Sequence, residues 1–485
     1  MTMLRCARSL VVSGLLACGV AWADGDGKIP ITTSSDEAKK EFLQGRDLAE
    51  KLKAQESIQY FERAIAKDPN FAMAHFTLAG VAPSAKLFFE ELKKSVALAS
   101  KVSEGERSLI LSFEAGVNGK AAKQSEYLLE LVKKHPNDER SHNALGNYYF
   151  GQQEYDRAVE EFKKATEIAP GFSPAYNTLG YSYRFLEKYD QAESAFKKYT
   201  ELIPDDPNPY DSYAELMMKI GKHDESIRLY QKALSIDPNF SASCRGIAAN
   251  LMFKGKYDEA RSELQKSYDM ARNDGERRTA LFAMTVLYVD EGKSGLALKE
   301  MDKQYALAEK INDAAAMAGD LTAKGNILTE QGRLGEAAVQ FEKSLQLIQQ
   351  SGLSQPVKDL ATLAHHYNLA TIAVKKGDLA TAKREAEAFR KGADALRNAN
   401  QIRLAHELSG MIALGAQDFD AALNQLKQAS QVNPYNLYRL ALAYQGKGDK
   451  KMAKEYFMKA ARDNTLPILN YAFIRNKAER VVAVL

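Results

Sequence analysis

The stretches "NALGNYYFGQQEYDRAVEEFKKATEIAP" (143–170) and "NTLGYSYRFLEKYDQAESAFKKYTELIP" (177–204) lie 34 residues apart and align without a gap. Leu145-Gly146-x-x-Tyr149 becomes Leu179-Gly180-x-x-Tyr183, Ala158-x-x-x-Phe162 becomes Ala192-x-x-x-Phe196, and Pro170 becomes Pro204. Steps of three and four residues return to one side of a helix, so each copy reads as two amphipathic helices closed by a proline. An internal period of this length marks a stack of helix pairs, none able to bury its apolar side alone.

Carrying the register in both directions gives twelve units, beginning near 38, 72, 105, 139, 173, 207, 241, 278, 318, 363, 403 and 434. Their eighth places hold Gly45, Ala79, Ser112, Gly146, Gly180, Ala214, Ala248, Thr285, Gly325, Ala370, Gly410 and Ala441. All are small, as required where the first helix of a unit crosses the second closely. Two regions depart from the pattern. Pro83 falls where helix is expected and Glu91 where a small residue belongs, so 72–104 reads as irregular. From 278 the spacings lengthen to 40, 45 and 40, which predicts longer helices, with a loop over 350–356. The organisation that follows is N-terminal units over 38–104, a regular array over 105–274, lengthened units over 275–465, and a final helix over 466–485 that caps the stack. The apolar end of that helix, with Val481, Val482 and Val484, suits contact with a partner.

L-G-x-x-Y, then A-x-x-x-F, then Pro is the pattern of the tetratricopeptide repeat, which this sequence resembles in many in-phase copies. The resemblance implies an all-α, right-handed superhelical solenoid of about twelve helix pairs. "SEGERSLILSFEAGVNG" (103–119), "DPNPYDSYAELM" (206–217) and "ARNDGERR" (271–278) also resemble exported bacterial proteins of this family with no assigned activity. That likeness implies a fold and no reaction.

Read against the repeat, the acidic stretch "PDDPNPYDSY" (204–213) is helix punctuation rather than a metal loop. A calcium loop needs alternating oxygen ligands, a glycine at its middle and a closing glutamate. Here Pro204 closes one pair, Pro207 opens the next, and Asp205 or Asp206 can cap the free N–H groups at that helix start.

Hydrophobic content of 45% and charge of 27% describe an ordinary well-structured chain, and a net charge of +3 gives no strong attraction to nucleic acid or anionic lipid. The N-terminus has Arg5 and Arg8, an apolar run over 10–22, then Ala21-Trp22-Ala23 before Asp24. That is the layout of a secretory signal peptide over 1–23 and points to an exported, periplasmic protein. A second reading takes Leu15-Leu16-Ala17-Cys18 as a lipobox that would leave a lipid-anchored Cys18, although the apolar run continues past it. A third, a cytoplasmic peptide-sensing regulator, would need Met1 retained. Removal of 1–23 leaves Cys244 as the only cysteine, so no intrachain disulfide can form. Residues 24–37 are rich in Gly, Ser and Thr and read as a short flexible lead-in.

Nothing in the sequence points to catalysis or to a cofactor. Of the seven histidines, His75, His142, His366 and His406 share the fourth place of their units, a packing position. No H-E-x-x-H, G-x-S-x-G or phosphate-binding glycine loop occurs. The expected activity is therefore recognition of a protein or peptide, with no membrane span and no metal. In solenoids of this family ligands lie on the face lined by the first helices, where the fifth, ninth and twelfth places fall together. Reading them gives Asn143, Asn147, Asn177, Tyr181, Arg184 and Arg245, with Asp211 and Glu215 between. Asparagines can give and take hydrogen bonds with an extended backbone, and the arginines can hold carboxylates. Farther on, the same face turns apolar, with Phe282, Val286, Val289, Tyr367, Val374, Met411, Leu414, Tyr438 and Leu442.

Overall fold

A pair of helices whose apolar stripes face each other closes into a hairpin when the chain can reverse within a few residues, and among the described residues it does so twelve times. The computed structural model describes residues 27–484; the leader expected over 1–23, with Cys18 and Trp22, lies outside the described residues. The hairpins are α1 (Asp36–Glu50) with α2 (Ala54–Lys67), α3 (Ala72–Val81) with α4 (Ala85–Leu98), α5 (Glu104–Val117) with α6 (Ala121–Lys134), and α7 (Glu139–Gly151) with α8 (Tyr155–Ile168). Then come α9 (Ser173–Phe185) with α10 (Tyr189–Leu202), α11 (Pro207–Lys219) with α12 (His223–Ile236), α13 (Ser241–Phe253) with α14 (Tyr257–Asp269), and α15 (Asp274–Asp290) with α16 (Ser294–Glu309). The last four are α17 (Ala314–Glu330) with α18 (Leu334–Gln350), α19 (Gln355–Lys376) with α20 (Leu379–Leu396), α21 (Ala399–Gly415) with α22 (Phe419–Leu426), and α23 (Pro434–Gly446) with α24 (Lys450–Ala461). A final helix, α25 (Leu469–Val484), follows. The described residues contain no strand, and the chain is an all-α helical-repeat solenoid.

Within each hairpin the decisive contact is steric. A Cβ on Gly180 would lie 2.7 Å from the ring of Phe196, and one on Gly146 would lie 2.6 Å from the ring of Phe162. Both rings are fully buried, so neither can give way. The reversal between the helices needs a left-handed residue. Gln153 and Glu187 supply it at equivalent positions, with φ of 61° and 57°. Glycine supplies it without strain at Gly255, with φ of 74°.

The shared histidines are structural bolts. His142 sets Nδ1 2.6 Å from Glu161 Oε2 and Nε2 3.0 Å from the Pro136 carbonyl, joining its helix to the second helix and to the loop before it. His75 repeats this with Glu91 at 2.6 Å and the Pro69 carbonyl at 3.1 Å. Glu91, which looked out of place in the sequence, is therefore the buried partner of the unit's own histidine. Pro83 does not interrupt a helix; it lies in the turn after a shortened α3, and Ser84 caps α4. His366 and His406 meet Glu385 and Gln425 at 2.8 Å each.

The chain divides into two compact units. The N-terminal one comprises Asp224–Ser243 and the described part of Thr2–Met217; the C-terminal one comprises Met218–His223 and the described part of Cys244–Leu485. In the C-terminal unit the extra residues lengthen helices of both kinds: the first helices α15 and α17 have 17 residues and α19 has 22, and the second helices α18 and α20 have 17 and 18. The loop expected over 350–356 shortens to 351–354, because Pro356 is tolerated in the first turn of α19.

Gly180→Leu forces a branched side chain into the space of the Phe196 ring. It should destabilise the protein by about 1–3 kcal/mol, and urea melts followed by circular dichroism read the change. A parent-like midpoint would show that the eighth place does not set the crossing.

Candidate peptide-binding faces

In the N-terminal unit the first helices set the expected polar residues side by side, but not as open groups. Asn143 and Asn177 are buried, and Asn147 is half-buried. Arg184, expected to face solvent, is only 6% exposed. Its Nη1 lies 3.1 Å from Glu215 Oε2, and its guanidinium rests 4.7 Å from the centroid of Tyr181. The reason is the stacking of units: Glu215 occupies the ninth place of the next first helix and meets the arginine directly. Burial first, and Glu215 second, push the Tyr181 phenol well above its usual range. Asp211 is likewise taken, accepting from Ser243 Oγ at 2.6 Å. Arg245 falls in the C-terminal unit, apart from the other five. Two amide atoms stand out. Asn147 Nδ2 and Asn177 Oδ1 are buried with no hydrogen-bond partner among the described residues.

The lead-in is not loose over 27–35. It runs extended across the starts of three first helices, tied by carboxylates. Ile29 N donates to Asp138 Oδ2 at 3.0 Å, Thr32 N to Glu106 Oε1 at 2.8 Å, and Ser34 N to Asp68 Oδ2 at 3.0 Å. Lys28 pairs with Glu139, and the Gly27 carbonyl lies 3.2 Å from His135 Nδ1. Composition suggested flexibility, yet Thr and Ser hydroxyls are also donors, and acidic helix starts give them acceptors. In the loop 204–213 it is Asp206 that serves as the cap, accepting from Asn208 N at 3.0 Å, while Lys53 approaches its other oxygen at 3.4 Å.

In the C-terminal unit the apolar part of the first-helix face is occupied by the chain's own last helix. Phe282, Val286 and Val289 share a core with Tyr471, Phe473, Ile474 and Ala478 of α25, and Tyr438 and Leu442 pack against it. Tyr367, Val374 and Met411 join a second cluster around Phe389, and Leu414 a third with Leu426. The expected cap thus docks on α15 and α23 as well as on α24. Buried charges hold it there. Arg475 Nε donates to Asp290 Oδ1 at 2.8 Å and Nη2 to Oδ2 at 2.5 Å, and Asn476 Nδ2 donates to the Asp290 carbonyl at 2.6 Å. Burial opposes the charge on Arg475, but Asp290 outweighs it and holds the guanidinium firmly protonated. Of the apolar tail, Val481 and Val482 pack against this core, while Val484 stays 84% exposed.

Cys244 is buried, and burial pushes its thiol up to about 11, away from any nucleophilic use at neutral pH. Among the described residues no group of three or more His, Cys, Asp or Glu side chains could hold a metal ion. No helix among them is long and apolar enough to cross a membrane.

The tetratricopeptide repeat family profile matches residues 139–172, 173–206, 209–240 and 435–462, segments that form helix pairs described above, the first two with their glycine-on-aromatic crossings. The chain is a tetratricopeptide repeat protein. No curated protein sequence matches it significantly. Among solved structures, a tetratricopeptide repeat protein from Parabacteroides merdae is 16% identical, with a TM-score of 0.37 over 54% of this chain and 98% of that one. Pseudomonas aeruginosa pilF is 15% identical, with a TM-score of 0.32 over 43% and 93%. YrrB, described as having an unusual peptide-binding site, is 20% identical, with a TM-score of 0.26 over 38% and 93%. Tetratricopeptide repeats form scaffolds for protein–protein interaction, and this tetratricopeptide repeat protein is built on that plan.

A carboxyl in its N-terminal unit is also strongly displaced. Glu50, at the end of α1, sits 3.7 Å from Arg140 Nε and 3.9 Å from Arg46 Nε. Burial pushes its carboxyl up to about 8 against the pull of both arginines. A carboxyl raised in the folded state favours folding while it is neutral. That contribution is complete below its ordinary value of 4.5 and is lost as pH rises through about 8. Glu50→Gln should leave the melting temperature unchanged below that lower limit. Near the upper limit it should raise it by at least about 3 °C, as read by thermal melts across the range. Parallel curves for parent and variant would rule out a neutral Glu50.

Proposed function

We propose that this tetratricopeptide repeat protein is an exported, non-catalytic scaffold that holds an extended segment of another protein on the first-helix face of its N-terminal unit. The observation that carries this reading is the pair of buried, unmatched amide atoms, Asn147 Nδ2 and Asn177 Oδ1. One is a donor and the other an acceptor, and a peptide backbone offers the complementary carbonyl and N–H. Leaving such atoms unmatched costs about 1–3 kcal/mol each, so a ligand that satisfies them recovers that energy on binding. Tyr181 and the Arg184–Glu215 pair form the adjoining wall, where the half-buried ring can pack on ligand side chains. The absence of any catalytic motif in the sequence accords with a purely binding role.

Panning a displayed library of random peptides against the whole protein tests the face. Peptides enriched on the parent should bind Asn147→Leu at least about tenfold more weakly, the worth of one hydrogen bond to a desolvated amide. Melting should not fall, because the variant removes a polar atom that has no partner in the free protein. Equal binding would move the site off this face.

Export rests on the layout of residues 1–23 and carries its own test. The only tryptophan is Trp22, inside the expected leader. Protein from the native host should start at Asp24 by mass and show no tryptophan emission under tryptophan-selective excitation. Emission from a detergent-dependent protein would support the lipidated Cys18 form instead, and emission from a freely soluble one the cytoplasmic form.

A further inference from the structure

The carboxylates under the extended segment 27–35 each do two jobs. Asp138 uses Oδ1 to accept from Arg140 N and Ser141 N at 2.9 Å, capping α7, and offers Oδ2 to Ile29 N. Glu106 turns Oε2 to Ser103 N at 3.0 Å in the capping box of α5, and offers Oε1 to Thr32 N. Asp68 accepts from Asn70 N through Oδ1 at 3.0 Å and from Ser34 N through Oδ2. In each case one oxygen serves the fold and the other serves the segment.

The spacing of the donors has a physical origin. An extended chain rises about 3.3 Å per residue, so three residues cover about 10 Å. That is close to the distance between packed helices, about 8–10 Å. The step from Ile29 to Thr32 therefore carries the chain from one helix start to the next. Beside the three backbone donors a small set of side chains is specified: Lys28 toward Glu139, Ile29 beside Gly105, where a Cβ would lie 2.9 Å from Ile29 Cγ2, the hydroxyl of Thr32 on Glu106 at 2.5 Å, and those of Thr33 and Ser34 on Asp68 at 2.6 and 3.1 Å. None of residues 27–35 is buried. A segment held by hydrogen bonds with little apolar burial opens locally while the rest of the fold persists.

We infer that this row of carboxylates is a binding edge for extended segments, with residues 27–35 as its resident ligand and a basic, Ser/Thr-rich extended segment of a partner protein as its exchange ligand. This edge is separate from the first-helix face proposed above, and either can fail without the other. A partner strand enters by the same three backbone donors, with a basic residue toward Glu139 and hydroxyls toward Glu106 and Asp68, while the resident segment swings out from Ser35.

The test uses the full chain and a fluorescent peptide of residues 27–36, GKIPITTSSD. The double variant Ile29→Pro/Thr32→Pro removes two of the segment's backbone donors and leaves every repeat residue intact. The peptide should bind this variant at least about tenfold tighter than the parent, as the loss of the intramolecular hydrogen bonds at positions 29 and 32 frees the edge. The same peptide N-methylated at Ile29 and Thr32 should lose that binding. Hydrogen exchange on the parent gives an independent reading: the amides of Ile29, Thr32 and Ser34 should exchange together, and faster than those within α5 and α7. Equal peptide binding by parent and variant, undiminished binding of the methylated peptide, or exchange at 29–34 as slow as in those helices would each overturn the inference.

Discussion

The structure depends on a bare backbone meeting an aromatic ring. Where Gly45, Gly146, Gly180 and Gly325 face Phe61, Phe162, Phe196 and Phe341, a single added carbon would collide with the ring at 2.4–2.8 Å. The two helices of a pair can therefore approach only at that point and at one angle. Repeating the contact presents each first helix to its neighbours in the same orientation. Places that share a number in the repeat then come to face one another. The Arg184–Glu215 pair follows from this, as does the run of apolar residues that receives α25. So does the alignment of helix starts that lets one extended segment touch Asp138, Glu106 and Asp68 in turn.

The repeat was legible in the sequence because its determinants are local and recur: a small residue at the eighth place, an aromatic on the second helix, a proline at the close. The histidines could be assigned to packing from their shared place alone, although not their acceptors. Glu91 was misjudged for that reason, since its partner His75 lies on the other helix of the unit. What the period could not carry were contacts made once. Nothing periodic links Thr32 to Glu106 or Arg475 to Asp290, separated by 74 and 185 residues. A Gly-, Ser- and Thr-rich lead-in and a short terminal helix look like dispensable ends when read by composition. Arg184 reads as able to hold a ligand carboxylate when its helix is considered alone, but its acid, Glu215, stands on the next first helix.

The two units cover their own surfaces by different physics. In the C-terminal unit α25 brings Tyr471 and Ile474 into a shared apolar core and seals it with a buried, doubly hydrogen-bonded ion pair. Separating such charges leaves one unpaired in a dry interior, a penalty of about 3–5 kcal/mol. In the N-terminal unit the extended segment has an ion pair at Lys28 and hydrogen bonds to carboxylates in partial contact with water, each such hydrogen bond worth about 1.5–3 kcal/mol net. The first is part of its unit's core, and the second is a loosely held tenant.

The extended segment also reverses the usual order of assembly in such a protein. Stacked repeats fold through contacts between neighbours, so a chain emerging from the ribosome can set each hairpin on the one before it. Residues 27–35 emerge ahead of every hairpin, yet their acceptors follow 35, 74 and 109 residues later. These are long loops to close in a fold otherwise made of short ones, and such contacts form slowly. Residues 27–35 are thus among the last of the described residues to settle. Until the hairpin of α7 and α8 begins to form, Ile29 has no acceptor, and the segment can be tied only at its Asp68 and Glu106 contacts.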